Sequence, residues 1–241
     1  MQTYVNYGLA KINYTVTRRK RKTLGISISV DNGVQVAAPY MISDDIIGEI
    51  VLRKAPWILE KLSHLKEIKE QTPLKHFVSG EVFPYMGREY KLQIIIGNYN
   101  KGTTISLEDS LIKILIPDAA RENQSEVIRE ELINFYKNNA KELFLQRIEY
   151  FSKKLGVTHS GLTIKGQKTI WGSCTKTNKI NLNWKILMAP LDIIDYLIVH
   201  ELAHIRVKNH SRDFWNLVGL TLPDYKKRSN WLKTNGHKLN F

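Results

Sequence analysis

Apolar and polar side chains alternate over much of the first forty residues. Ile26, Ile28 and Val30 interleave with Ser27 and Ser29, Asp31-Asn32-Gly33 supplies turn residues, and Val34 and Val36 resume the alternation. This pattern predicts a β-hairpin within a small opening sheet. The period then lengthens to that of a helix. Ser43 followed by Asp44-Asp45 predicts a helix through Leu52, and Pro56 suits an early position in a second helix that ends near Gln71, before Pro73. Leu52, Ala55, Ile58, Leu59 and Leu62 are expected to face a core. Strand-like runs return at residues 85–96, 103–107 and 111–116, separated by Gly97, Gly102 and Asp109-Ser110.

Pro117-Asp118-Ala119-Ala120 reads as a junction. Beyond it, residues 124–155 keep a helical period through Ile128, Leu132, Phe135, Leu143, Ile148, Phe151 and Leu155, and Gly156 ends it. Two more strand-like segments, 162–165 and 179–184, follow; in the second, Ile180, Leu182 and Trp184 face one way and Asn181 and Asn183 the other. After Ala189-Pro190-Leu191, Asp192 is a plausible N-cap, Asp195 lies in the first turn, and Ile193, Ile194, Leu197 and Ile198 form an apolar stripe, which predicts a buried helix. The chain is therefore expected to be α+β. Residues 1–119 form a mainly β-sheet part with a helical insertion, and residues 120–241 a part with a small sheet and a long supporting helix behind the last, buried one.

That buried helix runs into His200-Glu201-Leu202-Ala203-His204. Residues i and i+4 are neighbours on one helix face, so both imidazoles can bind one zinc ion, while Glu201, one step round, reaches a zinc-bound water. A catalytic zinc takes a third protein ligand. No glutamate follows Glu201, which leaves Asp213, Asp224, His210 and His237 downstream. His210 is the best placed: it lies six residues past His204 and next to Asn209, a residue that tolerates the left-handed turn that ends helices. Ser211 can then cap a further helix from Arg212, with Asp213 in its first turn. The His204 to His210 spacing equals that of the metzincins. Here, however, Val207 stands where their glycine would, and Met1, Met41, Met86 and Met188 all precede the motif, so no Met-turn follows. The expected site is one catalytic Zn2+ held by His200, His204 and His210, with Glu201 as the catalytic general base. Tyr225 and Arg206 are candidates to stabilise the developing oxyanion. Phe214 and Trp215 are expected to pack behind His210 rather than stack on substrate. The segment 179–184 is the candidate edge strand for an extended peptide.

Composition narrows the class. With 241 residues and 43% hydrophobic content the chain can bury a substantial core. Its one cysteine, Cys174, rules out an intrachain disulfide and a cysteine-rich structural zinc site, fits a reducing compartment, and is expected to be a small buried residue near the active site. The start, Met1-Gln2-Thr3-Tyr4-Val5, lacks a basic segment leading into an apolar run, and no stretch is long enough to span a bilayer; a cytoplasmic protein without a membrane partner is expected. A net charge of +13 and a pI near 9.7 favour an anionic partner such as nucleic acid, a nucleotide or an acidic polypeptide. The basic runs Arg18 to Lys22 and Lys226-Lys227-Arg228 also suit simple solvated turns.

Several segments together resemble the YgjP-like metallopeptidase family, which is similar in its core to the SprT-like and minigluzincin proteases. They are Trp171-Gly172-Ser173-Cys174, Ile180-Asn181-Leu182-Asn183-Trp184, Ile194-Asp195-Tyr196, the His200 to His204 motif, and His210-Ser211 with Phe214-Trp215. Upstream, Tyr14-Thr15-Val16 with the basic run, Val34 to Pro39, Lys54 to Ile58 and Tyr85 to Tyr90 extend the resemblance over most of the chain. It implies zinc held by three histidines, a glutamate base, and a peptide or protein substrate. One departure is Ile170, where many members carry arginine. Three readings stand at this point: a zinc metallopeptidase, a zinc hydrolase of an anionic small molecule such as a nucleotide phosphoanhydride, and a nucleic-acid-associated binding module.

Overall fold

The structure is a computed structural model that describes residues 2–29, 32–71, 74–98, 102–167 and 170–241. Met1, Val30, Asp31 and Pro73, named above, lie outside the described residues. The chain divides into two compact units, Met1–Pro73 and Leu74–Phe241.

In the first unit, β1 (Gln2–Tyr7), β2 (Ala10–Arg18), β3 (Gly25–Ser29) and β4 (Gly33–Ala38) form one sheet in the order β1-β2-β4-β3. The hairpin read from the alternation forms, with Ile28 opposite Val34 and Ile26 opposite Val36, while β2 and β4 pair in parallel. α1 (Asp44–Arg53) begins at Ser43, whose hydroxyl accepts the Ile46 amide, and α2 (Ala55–Gln71) follows. The core joins Ile12, Tyr14, Val34 and Val36 to Ile47, Val51, Ala55 and Ile58. Leu52 was expected in that core but is exposed, because α1 turns its Ile47/Val51 stripe inward.

The second unit opens with β5 (Val82–Tyr85), β6 (Arg88–Gly97), β7 (Thr104–Glu108) and β8 (Leu111–Pro117), in the order β5-β6-β8-β7. The run expected as one strand from 85 to 96 is broken at Met86-Gly87, which take φ of +49° and +76° and turn the chain into an antiparallel hairpin. The turn is held from outside: the Met86 and Gly87 amides donate to the carbonyls of Leu187 (2.8 Å) and Met188 (3.1 Å). A Cβ at Gly87 would meet Pro190 at 2.9 Å, so only glycine allows this approach.

α3 (Gln124–Leu155) ends as read, at Gly156 with φ +60°. β9 (Gly161–Lys165), β10 (Gly172–Cys174) and β11 (Lys179–Asn183) form a sheet in the order β10-β11-β9. β11 is therefore the centre of its sheet and not the expected edge. It returns antiparallel along β10 through a short turn, β9 pairs in parallel on its other side, and β10 is left at an edge. Trp184 leaves the strand and starts a 3-10 turn through Met188. α4 (Leu191–Arg206), α5 (Arg212–Thr221) and α6 (Tyr225–Asn235) complete the unit.

α3 packs behind α4 as expected, and the contact carries a bond that the sequence reading missed. Asp195 is buried, and both its oxygens accept from the Arg147 guanidinium of α3, at 2.6 and 2.7 Å. Strands β5–β8 share one core with both helices, through Phe83, Leu92, Ile112 and Ile114 with Leu132, Phe144 and Ile198. The boundary between the two compact units lies at residues 73/74. Among the described residues no helix is long and apolar enough to cross a membrane.

Candidate metal centre

The α4 sequence is apolar on nearly every side, so the helix is buried through Ile193, Ile194, Leu197, Ile198, Val199, Leu202 and Ala203, with His200 and His204 left partly open. Its N-cap is Pro190, two residues earlier than read, and Asp192 sits in the first turn rather than at the cap. At the other end the helix stops at Val207, in extended conformation (φ −126°, ψ 105°). Asn209 is not left-handed; its side-chain oxygen instead accepts the Ser211 amide at 3.3 Å, and Ser211 stands at the N-cap position of α5 as expected, although its hydroxyl makes no capping bond.

This path brings His210 back onto the two helix histidines. Its Nε2 lies 3.0 Å from Nε2 of His200, and one ring nitrogen from each of His200, His204 and His210 falls within 4.8 Å of the others. Phe214, fully buried, forms the floor beneath all three rings, with centroid distances of 4.5 to 4.9 Å. Trp215 stacks on His210 at 5.7 Å and is backed in turn by Tyr225 at 5.3 Å. Both aromatic residues support the histidines, as the sequence reading expected.

The environment keeps the helix imidazoles neutral. Burial, reinforced by His204 and His210, pushes the His200 pKa down to about 3. Burial also lowers His204, against a hydrogen bond to the Val207 carbonyl that favours the charged form. That 3.0 Å bond fixes the His204 tautomer: a carbonyl only accepts, so Nδ1 carries the hydrogen and Nε2 keeps its lone pair. Two neutral imidazoles that meet through their Nε2 atoms satisfy each other only when one of them holds the proton, whereas a cation accepts both lone pairs at once. A converging set of imidazole nitrogens is a donor chemistry that suits zinc.

Glu201 stands next to this cluster, 4% exposed, with no ion pair or hydrogen bond among the described residues. Burial pushes its pKa up to about 8. Its carboxylate occupies the space above Gly172 on β10. A Cβ there would stand 2.7 Å from Oε1, 2.9 Å from Cγ and 3.0 Å from Cδ, so the glycine of Trp171-Gly172-Ser173-Cys174 makes room for the glutamate. Two buried asparagines fasten the segment that carries Gly172. Asn183 donates from Nδ2 to the carbonyls of Gln167 (2.7 Å) and Ile170 (3.2 Å) and from its backbone to Trp171 (2.8 Å), and Asn181 donates to the Ser173 hydroxyl (3.1 Å). Sequence reasoning assigned these residues no task. Their alternation with Ile180 and Leu182 implied a polar face, and only the burial of that face shows that it must find partners.

Cys174 lies half-buried at the end of β10, its thiol pKa raised by burial against the pull of Lys208. Of the two oxyanion candidates, Arg206 is engaged elsewhere, donating to the Gly156 carbonyl at the end of α3 (3.0 Å); Tyr225 stays beside Trp215.

A family model described as YgjP-like, metallopeptidase domain, matches residues 22–235. Among solved structures, the chain is similar to the metallopeptidase zymogen abylysin of Pyrococcus abyssi, with 24% identity, a TM-score of 0.36, and coverage of 38% of this chain and 92% of that one. It is also similar to the metallopeptidase zymogen jannalysin of Methanocaldococcus jannaschii, with 21% identity, a TM-score of 0.35, and coverage of 38% and 94%. No curated protein matches.

Proposed function

The chain belongs to the YgjP-like metallopeptidase family, and from that premise we propose that it is a zinc-dependent peptidase in which His200, His204 and His210 hold one zinc ion and Glu201 is the general base. The observation that carries this reading is the convergence of three histidine nitrogens beside a buried, unpaired carboxyl group.

Zinc, when bound, supplies a Lewis acid that polarises a carbonyl and brings the pKa of a water towards neutrality. The chain's own residues supply the rest. Glu201 takes a proton from the attacking water as its oxygen forms a bond to the peptide carbon, and returns a proton to the amine nitrogen as the C–N bond breaks. Burial raises the pKa of this carboxyl in the metal-free chain, which favours the return of the proton to the amine nitrogen. Gly172 holds the space in which the Glu201 carboxylate sits. The Val207 carbonyl orients His204, and Phe214 with Trp215 limits the rotation of His210. An extended peptide can add to the edge of β10 that is unpaired among the described residues, by main-chain hydrogen bonding, a role closed to β11 because both its edges are paired.

The test pairs wild type with Glu201→Gln on a peptide library, with metal content measured in both. Loss of the base should lower cleavage by about 10²- to 10⁴-fold and leave zinc near one per chain. Cleavage that survives the substitution counts against Glu201 as base.

A further inference from the structure

The peptidase reading leaves unused a set of features at one end of the first unit's sheet. β2 and β4 run parallel with Arg18 opposite Ala38, and β3 enters antiparallel with Gly25 opposite Ala37. The loop after β2 (residues 19–24) and the loop after β4 (residues 39–43) therefore share one end of the sheet. Arg18 ties them together. Its guanidinium donates to the carbonyls of Pro39 (3.0 Å) and Ile42 and pairs with Asp44, while the Arg19 amide donates to the Ala38 carbonyl at 2.9 Å. These bonds bracket Tyr40 and Met41, which stand out 69% and 95% exposed. Next to them Arg19, Lys20, Arg21 and Lys22 are all exposed, and none has an ion-pair partner among the described residues.

We infer that this end of the sheet is a binding surface for single-stranded nucleic acid, with the four cations on phosphates and the Tyr40 ring stacked on a base. Four neighbouring cations without a counter-charge complement a polyanion, and a chain of net charge +13 draws one in from a distance. A braced, solvent-facing tyrosine offers a flat face that any unpaired base can stack on, which a duplex would hide. One methionine and one tyrosine present too little apolar area to anchor in a bilayer, which makes the surface a poorer match to a membrane.

The test follows the full chain binding a fluorescein-labelled twelve-residue oligothymidylate by anisotropy across a salt series. Each phosphate contact on a single strand contributes about −0.7 to the slope of log K against log salt, so the four cations account for about −3. The triple variant Lys20→Ser, Arg21→Ser, Lys22→Ser should lose about 2 of that slope and bind at least about tenfold more weakly at low salt. Tyr40→Ala should weaken binding about tenfold at unchanged slope, and Tyr40→Phe should restore it. All variants keep the wild-type melting temperature and metal content, since the replaced side chains are exposed and Arg18 is untouched. A triple variant with the wild-type slope, or Tyr40→Ala with the wild-type affinity, overturns the inference. So does sedimentation with phosphatidylserine vesicles under conditions where the oligonucleotide does not bind.

Discussion

Replacing Gly172 by alanine tests whether the space above β10 is what seats the Glu201 carboxylate. The added Cβ would stand 2.7 Å from Oε1 and 3.0 Å from Cδ, where ordinary contact begins near 3.4 Å, so the carboxylate or the strand must yield by about 0.7 Å. The strand cannot yield easily, since Asn181 holds Ser173 of β10 and Asn183 holds Gln167, Ile170 and Trp171 just before it, by four hydrogen bonds of 2.7 to 3.2 Å in all. Overpacking of this kind costs about 1–3 kcal/mol, which in a chain of this length lowers the melting temperature by roughly 2–4 °C per kcal/mol. A base misplaced by nearly 1 Å lowers turnover by about 10- to 100-fold, equivalent to about 1.4–2.7 kcal/mol of barrier. The assay is kcat and KM on a cleaved peptide, with zinc content and thermal melting for Gly172→Ala, Glu201→Ala and the double variant. The expected result is a fall in kcat with KM and zinc content little changed, and a stability cost of the glycine substitution that disappears once Glu201 is truncated to alanine. Wild-type kcat and melting temperature in Gly172→Ala, or the same stability cost in both backgrounds, would refute the reasoning.

Further expectations concern charge and backbone. In the metal-free protein Glu201, raised from 4.5 to about 8, contributes stability that is full below pH 4.5 and lost as pH rises through 8; His200, lowered from 6.5 to about 3, contributes stability present above pH 6.5 and lost as pH falls towards 3. Chelated wild type should therefore lose stability between pH 6.5 and 8 at up to ~1.4 kcal/mol per pH unit, and Glu201→Gln should flatten that limb and spare the acid one; denaturant titrations at several pH values read this directly. Arg147→Met leaves the largely buried Asp195 carboxylate unpaired and should cost about 2–4 kcal/mol, more than Asp195→Asn, which keeps part of the hydrogen bonding; equal costs would show that the pair is screened by solvent. Gly87→Ala meets both a left-handed φ and the Pro190 ring, and should destabilise by more than about 1 kcal/mol in thermal unfolding.

What could be read from the sequence was what depends on short spacing. The long α3 and its stop at Gly156, the cap at Ser43 and the β3–β4 hairpin follow from local propensity and turn chemistry, and these elements form as expected. The clustering of His200, His204 and His210 was also legible, because a helix repeat places the first two and a short loop leaves little choice for the third. The features missed arise from partners distant in the chain. Met86-Gly87 turns left-handed because the 187–190 segment accepts its amides, and no local rule shows that a tyrosine-to-isoleucine run will break there. The position of β11 depends on β9 pairing in parallel across the intervening loop, which strand propensity does not encode. Asp195 reads as a first-turn acid until Arg147, forty-eight residues earlier, is seen to meet it. Gly172 has no meaning in its own strand and acquires one only against Glu201.

The most direct test of the metal centre is a zinc affinity titration, by competition with a chromophoric chelator, of the full chain and of His210→Ala. The account predicts one zinc per wild-type chain and a loss of at least about 10²-fold in affinity for the variant, because the proposed site, among the described residues, draws its protein donors from three histidines, His210 among them. Undiminished zinc binding by His210→Ala, or a wild-type chain that binds no zinc, would contradict it.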